Sequence, residues 1–145
     1  MRCVVQRVRR ASVEVAGEVV AQIGTGLVVL AGVAKGDSEA AMSAAAKKIR
    51  ELRIFGDAEG KMNLDVAAVG GAILAVSQFT LAGSIERGRR PSFDGAEEPE
   101  EAKRKFESFV RELGSTGIPI QTGLFREMMI VSLENDGPVT FVYEG

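Results

Sequence analysis

Apolar and polar positions alternate at the start of the chain. Residues 2–8 form a period-2 stretch in which Cys3, Val5 and Arg7 share a side, and residues 12–16 and Glu18–Ile23 continue as strands. Ala16-Gly17-Glu18 and Gly24-Thr25-Gly26 have the composition of tight turns. Residues 26–34 are then continuously apolar, which predicts a strand buried on both faces. Met42, Ala45, Ile49 and Leu52 fall on one helical stripe, so a helix is expected over residues 38–53, capped by Asp37 or Ser38. A short strand at 52–55 and a turn at 56–60 follow. That turn carries too few carboxylates for a calcium loop.

Residues 72–81 read as a second buried strand, ending in Ser77-Gln78-Phe79-Thr80-Leu81, and 82–95 as a loop rich in Gly and Arg. A second helix is expected over 97–113. Pro99 suits its first turn, Phe106, Phe109, Val110 and Leu113 form its stripe, and Gly114 stops it. Glu100/Arg104, Glu101/Lys105 and Glu107/Arg111 have i,i+4 spacing on its solvated face. Strands at 118–121, 128–134 and 139–143 close the chain. The expected fold is α+β: mostly antiparallel sheets forming a barrel-like core with two packed helices, as a single domain over residues 1–145.

Composition narrows the chemistry. The chain has 145 residues, one cysteine and no histidine. Cys3 alone makes no intramolecular disulfide, and without histidine there is no Ser-His or Cys-His catalytic pair and no His-ligated metal. No metal and no cofactor are expected. A net charge of −2 argues against bulk electrostatic nucleic-acid binding, DNA included. The apolar runs fall far below the ~20 residues that span a bilayer. No membrane association is expected, and the cytoplasm is the expected location.

Four features break the local pattern, and each has a plain and a chemical reading. Arg7 is either a charge at a sheet edge or a five-donor fork for carbonyls or a phosphate. Ser77-Gln78-Phe79-Thr80 is either a solvated strand end or a site in which Thr80 offers a hydroxyl and backbone N–H groups an oxyanion hole. Asn135-Asp136-Gly137-Pro138 is either a hairpin turn between two strands or a cis Gly-Pro that aims two carbonyl oxygens the same way. Arg87, Arg89 and Arg90 form either a solvated loop or a phosphate contact.

Taken together and in order, residues 1–8 (Met-Arg-Cys-Val-Val-Gln-Arg-Val), Asn63-Leu64, Ser77-Gln78-Phe79-Thr80-Leu81, Gly88-Arg89-Arg90-Pro91-Ser92-Phe93 and Asn135-Asp136-Gly137-Pro138-Val139-Thr140 resemble the D-aminoacyl-tRNA deacylase family over essentially the whole chain. With Arg7 and the Ser-Gln-Phe-Thr form both present, the chain resembles the D-specific branch. The resemblance implies hydrolysis of the ester of D-aminoacyl-tRNA, and of glycyl-tRNA, by a homodimer. It implies that Gly137 and Pro138 of one subunit enter the pocket of the other and reject L-amino acids. Arg7 would brace that dipeptide and Met129 would pack beside it, while Ser77, Gln78, Phe79 and Thr80 would line the pocket for the terminal adenosine and its ester. Two chemical routes are open: water attack assisted by the ribose 2′-OH, or covalent attack by Thr80. A non-catalytic tRNA- or RNA-binding oligomer on the same fold is the alternative function. The chain departs from the family pattern at Phe125-Arg126-Glu127, where Phe-Gly-Ala is usual, and at Ala82-Gly83-Ser84-Ile85, where Tyr-Ala-Asp-Thr is common.

Overall fold

A computed structural model describes residues 1–145. Its elements are β1 (Arg2–Val15), β2 (Glu18–Ile23), β3 (Gly26–Gly32), α1 (Glu39–Arg50), β4 (Phe55–Gly56), β5 (Met62–Leu64), β6 (Ala72–Ser77), a 3-10 turn (Phe79–Ala82), α2 (Pro99–Leu113), β7 (Ile120–Thr122) and β8 (Ile130–Glu144). The main sheet runs β2-β1-β3-β6-β7, with β8 on the other side of β1. Strand β1 is long enough to serve three partners: Arg2–Val8 pairs with β3, Ala11–Val15 with β2, and β8 follows it along its length, all antiparallel. The β3–β6 and β6–β7 pairings are parallel. The sheet curls into a nearly closed barrel, with β2 coming back toward β6 and β7.

The continuous apolar runs are explained by two cores, one on each face of the sheet. Leu27, Val29 and Ala31 of β3 and Ile73 and Ala75 of β6 face a cluster shared with both helices. Val28 of β3 and Leu74 and Val76 of β6 face a second cluster with Val8, Ala11, Val13, Ala21 and Ile23. Alternate side chains thus enter different cores, and neither face has a polar position. Helix α1 starts at Ser38, whose Oγ accepts the Ala41 N–H at 3.1 Å. Pro99 occupies the first turn of α2, where no N–H partner is needed. No helix is long and apolar enough to cross a membrane.

Four expectations change. Residues 2–8 and 12–16 are one strand, because β8 and the end-to-end pair β3 and β2 hold β1 extended throughout. Residues 128–134 and 139–143 are likewise one strand, β8, and Asn135–Pro138 is no hairpin. Val8 is opposite Asn135 and Gln6 opposite Thr140, so Asp136, Gly137, Pro138 and Val139 are extra residues across from Arg7, with Gly137 and Pro138 exposed and Val139 turned back into the core. The second buried strand stops at Ser77, after which residues 79–82 form the 3-10 turn. The three i,i+4 pairs of α2 do not form. Arg104 instead pairs at the surface with Glu101 and with Glu39 on α1, whereas Lys105 is turned inward and pairs with Glu97.

Candidate active site

Ser77 ends β6, and the chain must turn there because β3, its parallel neighbour, ends as well. The Gln78 N–H donates to the Ala31 carbonyl at 2.8 Å, the last bond of that pairing. The turn that follows is closed by the Leu81 N–H on the Gln78 carbonyl at 3.1 Å and the Gly83 N–H on the Thr80 carbonyl at 3.0 Å. The amides of Phe79 and Thr80, the first two of the turn, take no part in these bonds, as is usual at the start of a helical segment. Gly32 makes the arrangement possible. A Cβ there would lie 2.8 Å from both the Gln78 carbonyl oxygen and the Leu81 Cβ. Only a residue without a side chain lets β3 sit this close to the turn.

Beside the turn is a cavity of about 480 Å³. Ser77, Gln78 and Phe79 form one wall, Glu97, Pro99 and Ala102 another, and Phe125, Arg126, Glu127 and Met129 close it. This volume falls in the range of small-molecule sites. The Phe79 ring, 56% exposed, packs tilted on Phe93 with centroids 5.1 Å apart, so the arginine-rich loop flanks the site. Thr80 is at the rim and does not line the cavity, and its hydroxyl accepts from the Gln78 side-chain amide.

Sequence reasoning passes over Glu97 and places Lys105 on the solvated face of the second helix as a partner of Glu101, whereas Lys105 is buried. Glu97 and Lys105 are eight residues apart across the start of α2, a spacing that corresponds to no helical neighbour relation. The Lys105 Nζ is 2.6 Å from Glu97 Oε2, and both side chains are nearly buried. Lys105 and the Glu98 N–H hold the Glu97 carboxyl below its ordinary pKa. The one available hint is a lysine, Lys105, directly beside the apolar stripe of α2.

Arg7 lies opposite the β8 bulge and is mostly buried, with 16% of its side chain exposed. Its Nε donates to the Asp136 carbonyl at 3.0 Å and one terminal nitrogen to the Ile54 carbonyl at 2.7 Å. The Val139 N–H donates to Asn135 Oδ1 at 3.0 Å and closes the base of the bulge. Gly137 has φ +130, with Arg7 near enough that a Cβ would sit 3.0 Å from its guanidinium. The Gly137–Pro138 peptide bond is cis, and both residues are exposed at the tip. Of the two readings of Arg7, the fork for carbonyls is the one observed.

The predicted residues therefore separate into two groups. Ser77, Gln78, Phe79 and Met129 surround the cavity with Thr80 at its rim, whereas Arg7, Gly137 and Pro138 form a tip that does not line it. Met129 is just before β8, whereas the tip interrupts the middle of that strand. Arg87, Arg89 and Arg90 are exposed at the end of a loop closed by mutual bonds between Ser84 and Ser92, and they make no ion pair. The Cys3 thiol is excluded as a nucleophile. It is fully buried, and burial pushes its pKa up to about 12. No group of three or more Cys, Asp or Glu is placed to hold a metal ion.

Known proteins of this architecture carry the same sequence pattern. A D-aminoacyl-tRNA deacylase of Pelobacter propionicus is 57% identical over 144 residues, 99% of both chains, and one of Persephonella marina is 56% identical over 99% of this chain and 97% of its own. Among solved structures, a c-Myc DNA unwinding element binding protein superposes with a TM-score of 0.95 at 40% identity, covering 100% of this chain and 99% of its own. A structure described as that of "a probable eukaryotic D-amino acid tRNA deacylase" has a TM-score of 0.81 at 16% identity, covering 98% and 97%, which shows a shared fold. The family model described as D-Tyr-tRNA(Tyr) deacylase matches residues 4–144, and with these full-length relatives it shows that the chain belongs to that deacylase family.

Proposed function

We propose that the chain hydrolyses the ester joining a D-amino acid, or glycine, to the 3′-terminal ribose of tRNA, and that it does so as a homodimer in the cytoplasm. Family membership makes it an ester hydrolase acting on aminoacyl-tRNA. The observation that carries the finer reading is the separation of the two groups of residues. The tip of Gly137 and Pro138 is held by Arg7, is exposed and is not part of the lining of its own cavity, which supports a role in the cavity of another copy. A two-fold dimer makes that contact twice.

In this reading the terminal adenosine and its ester occupy the cavity, and Ser77, Gln78 and Phe79 position them. Water adds to the ester carbonyl. The unused amides of Phe79 and Thr80 receive the developing oxyanion, each donor contributing about 10²–10³-fold. The C–O bond to the ribose then breaks, and the 3′-oxygen leaves with a proton relayed through the neighbouring 2′-OH. An aminoacyl ester is already reactive, so these groups with correct positioning suffice. Thr80 is a poor nucleophile here. Its hydroxyl is tied to the Gln78 amide, and the chain has no histidine to serve as its base.

The carbonyl oxygens of the partner's tip would accept protons from the substrate ammonium. With ammonium and ester carbonyl both fixed, an L side chain points into the backbone of the tip, while a D side chain points away and glycine has nothing to clash. Overpacking against a rigid wall costs more than the ~1–3 kcal/mol that a methylene is worth in an ordinary pocket. The test is a matched set of tRNAs carrying D-Ala, D-Tyr, Gly and L-Ala. Release of all but L-Ala is expected, and rapid L-Ala release refutes the chiral filter. A second reading, nucleic-acid binding without hydrolysis, draws on the name of the 40%-identical structure. Protection of every ester in the same assay would select it.

A further inference from the structure

We propose that Arg126 is a specificity-determining residue that binds a backbone phosphate of the tRNA 3′ end as it enters the cavity, which rests on the reading of that cavity as the site for the terminal adenosine. The Glu127 N–H donates to the Leu124 carbonyl at 3.3 Å, closing a turn whose third residue is Arg126. Its φ is +64, and it shares a left-handed conformation with only one other non-glycine residue, Ala16 in the β1–β2 turn. Turns of this kind place glycine or asparagine there, because a Cβ crowds the following carbonyl. A long cationic side chain in that position works against local preference, and departures of this kind cluster at binding sites.

The side chain is also where a polyanion must pass. Arg126 lines the cavity with Ser77, Gln78 and Phe79, and the adjoining Met128, 90% exposed, marks the open side. Arg126 makes no hydrogen bond and no ion pair, so its donors are free. The other charges at the cavity do not cancel it. Glu97 is neutralised by Lys105. Glu127 also lines the neighbouring groove, in the company of Lys103 and Arg111. A guanidinium with a free face matches a phosphate in two-point geometry, which a point charge does not reproduce as well.

The test compares two substrates that share the reacting ester: D-alanyl-tRNA, and the 3′-D-alanyl ester of adenosine, which has no phosphate. Arg126→Gly restores the residue the turn favours, so the variant folds, and its Tm should rise by about 2–4 °C. Its kcat/KM on D-alanyl-tRNA should fall roughly tenfold further than on the adenosine ester. The log–log dependence of tRNA binding on salt should flatten by about 0.7, the value for one phosphate contact on a single strand. Arg126→Lys should keep most of that salt slope. Equal losses on the two substrates, an unchanged salt slope, or a lysine variant that behaves like the glycine variant would overturn the phosphate contact. If the unaltered protein hydrolyses neither substrate, it is the reading of the cavity that fails.

Discussion

Arg7 is the residue on which the tip depends. Its two carbonyl partners come from β8 and from the segment before β4, which also meet in the core through Val139, Ile54 and Phe55. Arg7→Ala leaves both carbonyls short of a donor and should lower stability by about 1–3 kcal/mol, read as a shifted urea midpoint. A tip displaced by an ångström should cost about 10²-fold in hydrolysis of D-alanyl-tRNA. Arg7→Lys should not restore it, because one ammonium does not span both acceptors. Thr80→Ala tests the other group of residues. If the oxyanion is held by backbone amides, the variant should stay within about tenfold of the parent rate, since losing one side-chain contact costs far less than losing an oxyanion donor. An acyl group trapped on Thr80 of the parent enzyme would contradict that account. Arg7 was partly legible: its phase with Cys3 and Val5 placed it on an inward face, but nothing in the local pattern indicated Ile54 as a partner.

Among the elements, the buried strands were the most legible, because β3 and β6 have no polar position over their central residues and both their faces meet a core. The bulge in β8 was not, since Asn-Asp-Gly-Pro is equally good hairpin chemistry. Only the unbroken pairing with β1 distinguishes the two, and that is a long-range fact. The same holds for two of the ion pairs of α2, which are set by α1 and the incoming loop, while the third, Glu101–Arg104, follows helical i,i+3 spacing. Gly32 is an element-scale constraint on the site. Gly32→Ala should push the Gln78–Leu81 turn off β3 and reduce activity by at least the roughly 10²-fold expected of a misplaced oxyanion donor, with thermal unfolding showing the protein still folded. The Glu97–Lys105 pair should show in the pH dependence of stability. Lys105 holds the Glu97 pKa below its ordinary 4.5, so the ionised form favours the fold. That contribution is present above pH 4.5 and is lost as pH falls through the lowered value. The stability difference between the parent and Glu97→Gln should therefore be constant near neutrality and shrink in acid. A difference that grows as pH falls would contradict the assignment.

At the scale of the molecule, the chemistry of one copy is divided, in the proposed reading, between a cavity and a tip, and one copy leaves apolar side chains in water. Strand β8 has a partner on one side only, and it exposes Ile130 at 63% and Val142 at 69%. A strand of this kind invites association. In the dimer reading, charged substitutions such as Ile130→Asp with Val142→Asp should give a monomer of 15.4 kDa in sedimentation, and the monomer should lose hydrolysis. The most direct measurement of the shared site mixes two inactive variants. One, Gly32→Leu, has a spoiled cavity and an intact tip. The other, Arg7→Ala, has an intact cavity and a spoiled tip. After denaturation and refolding together at equal amounts, half the dimers are mixed and each holds one complete site, so about a quarter of the parent activity on D-alanyl-tRNA should return. A mixture as inactive as its two components would mean that the tip does not serve the cavity of another copy.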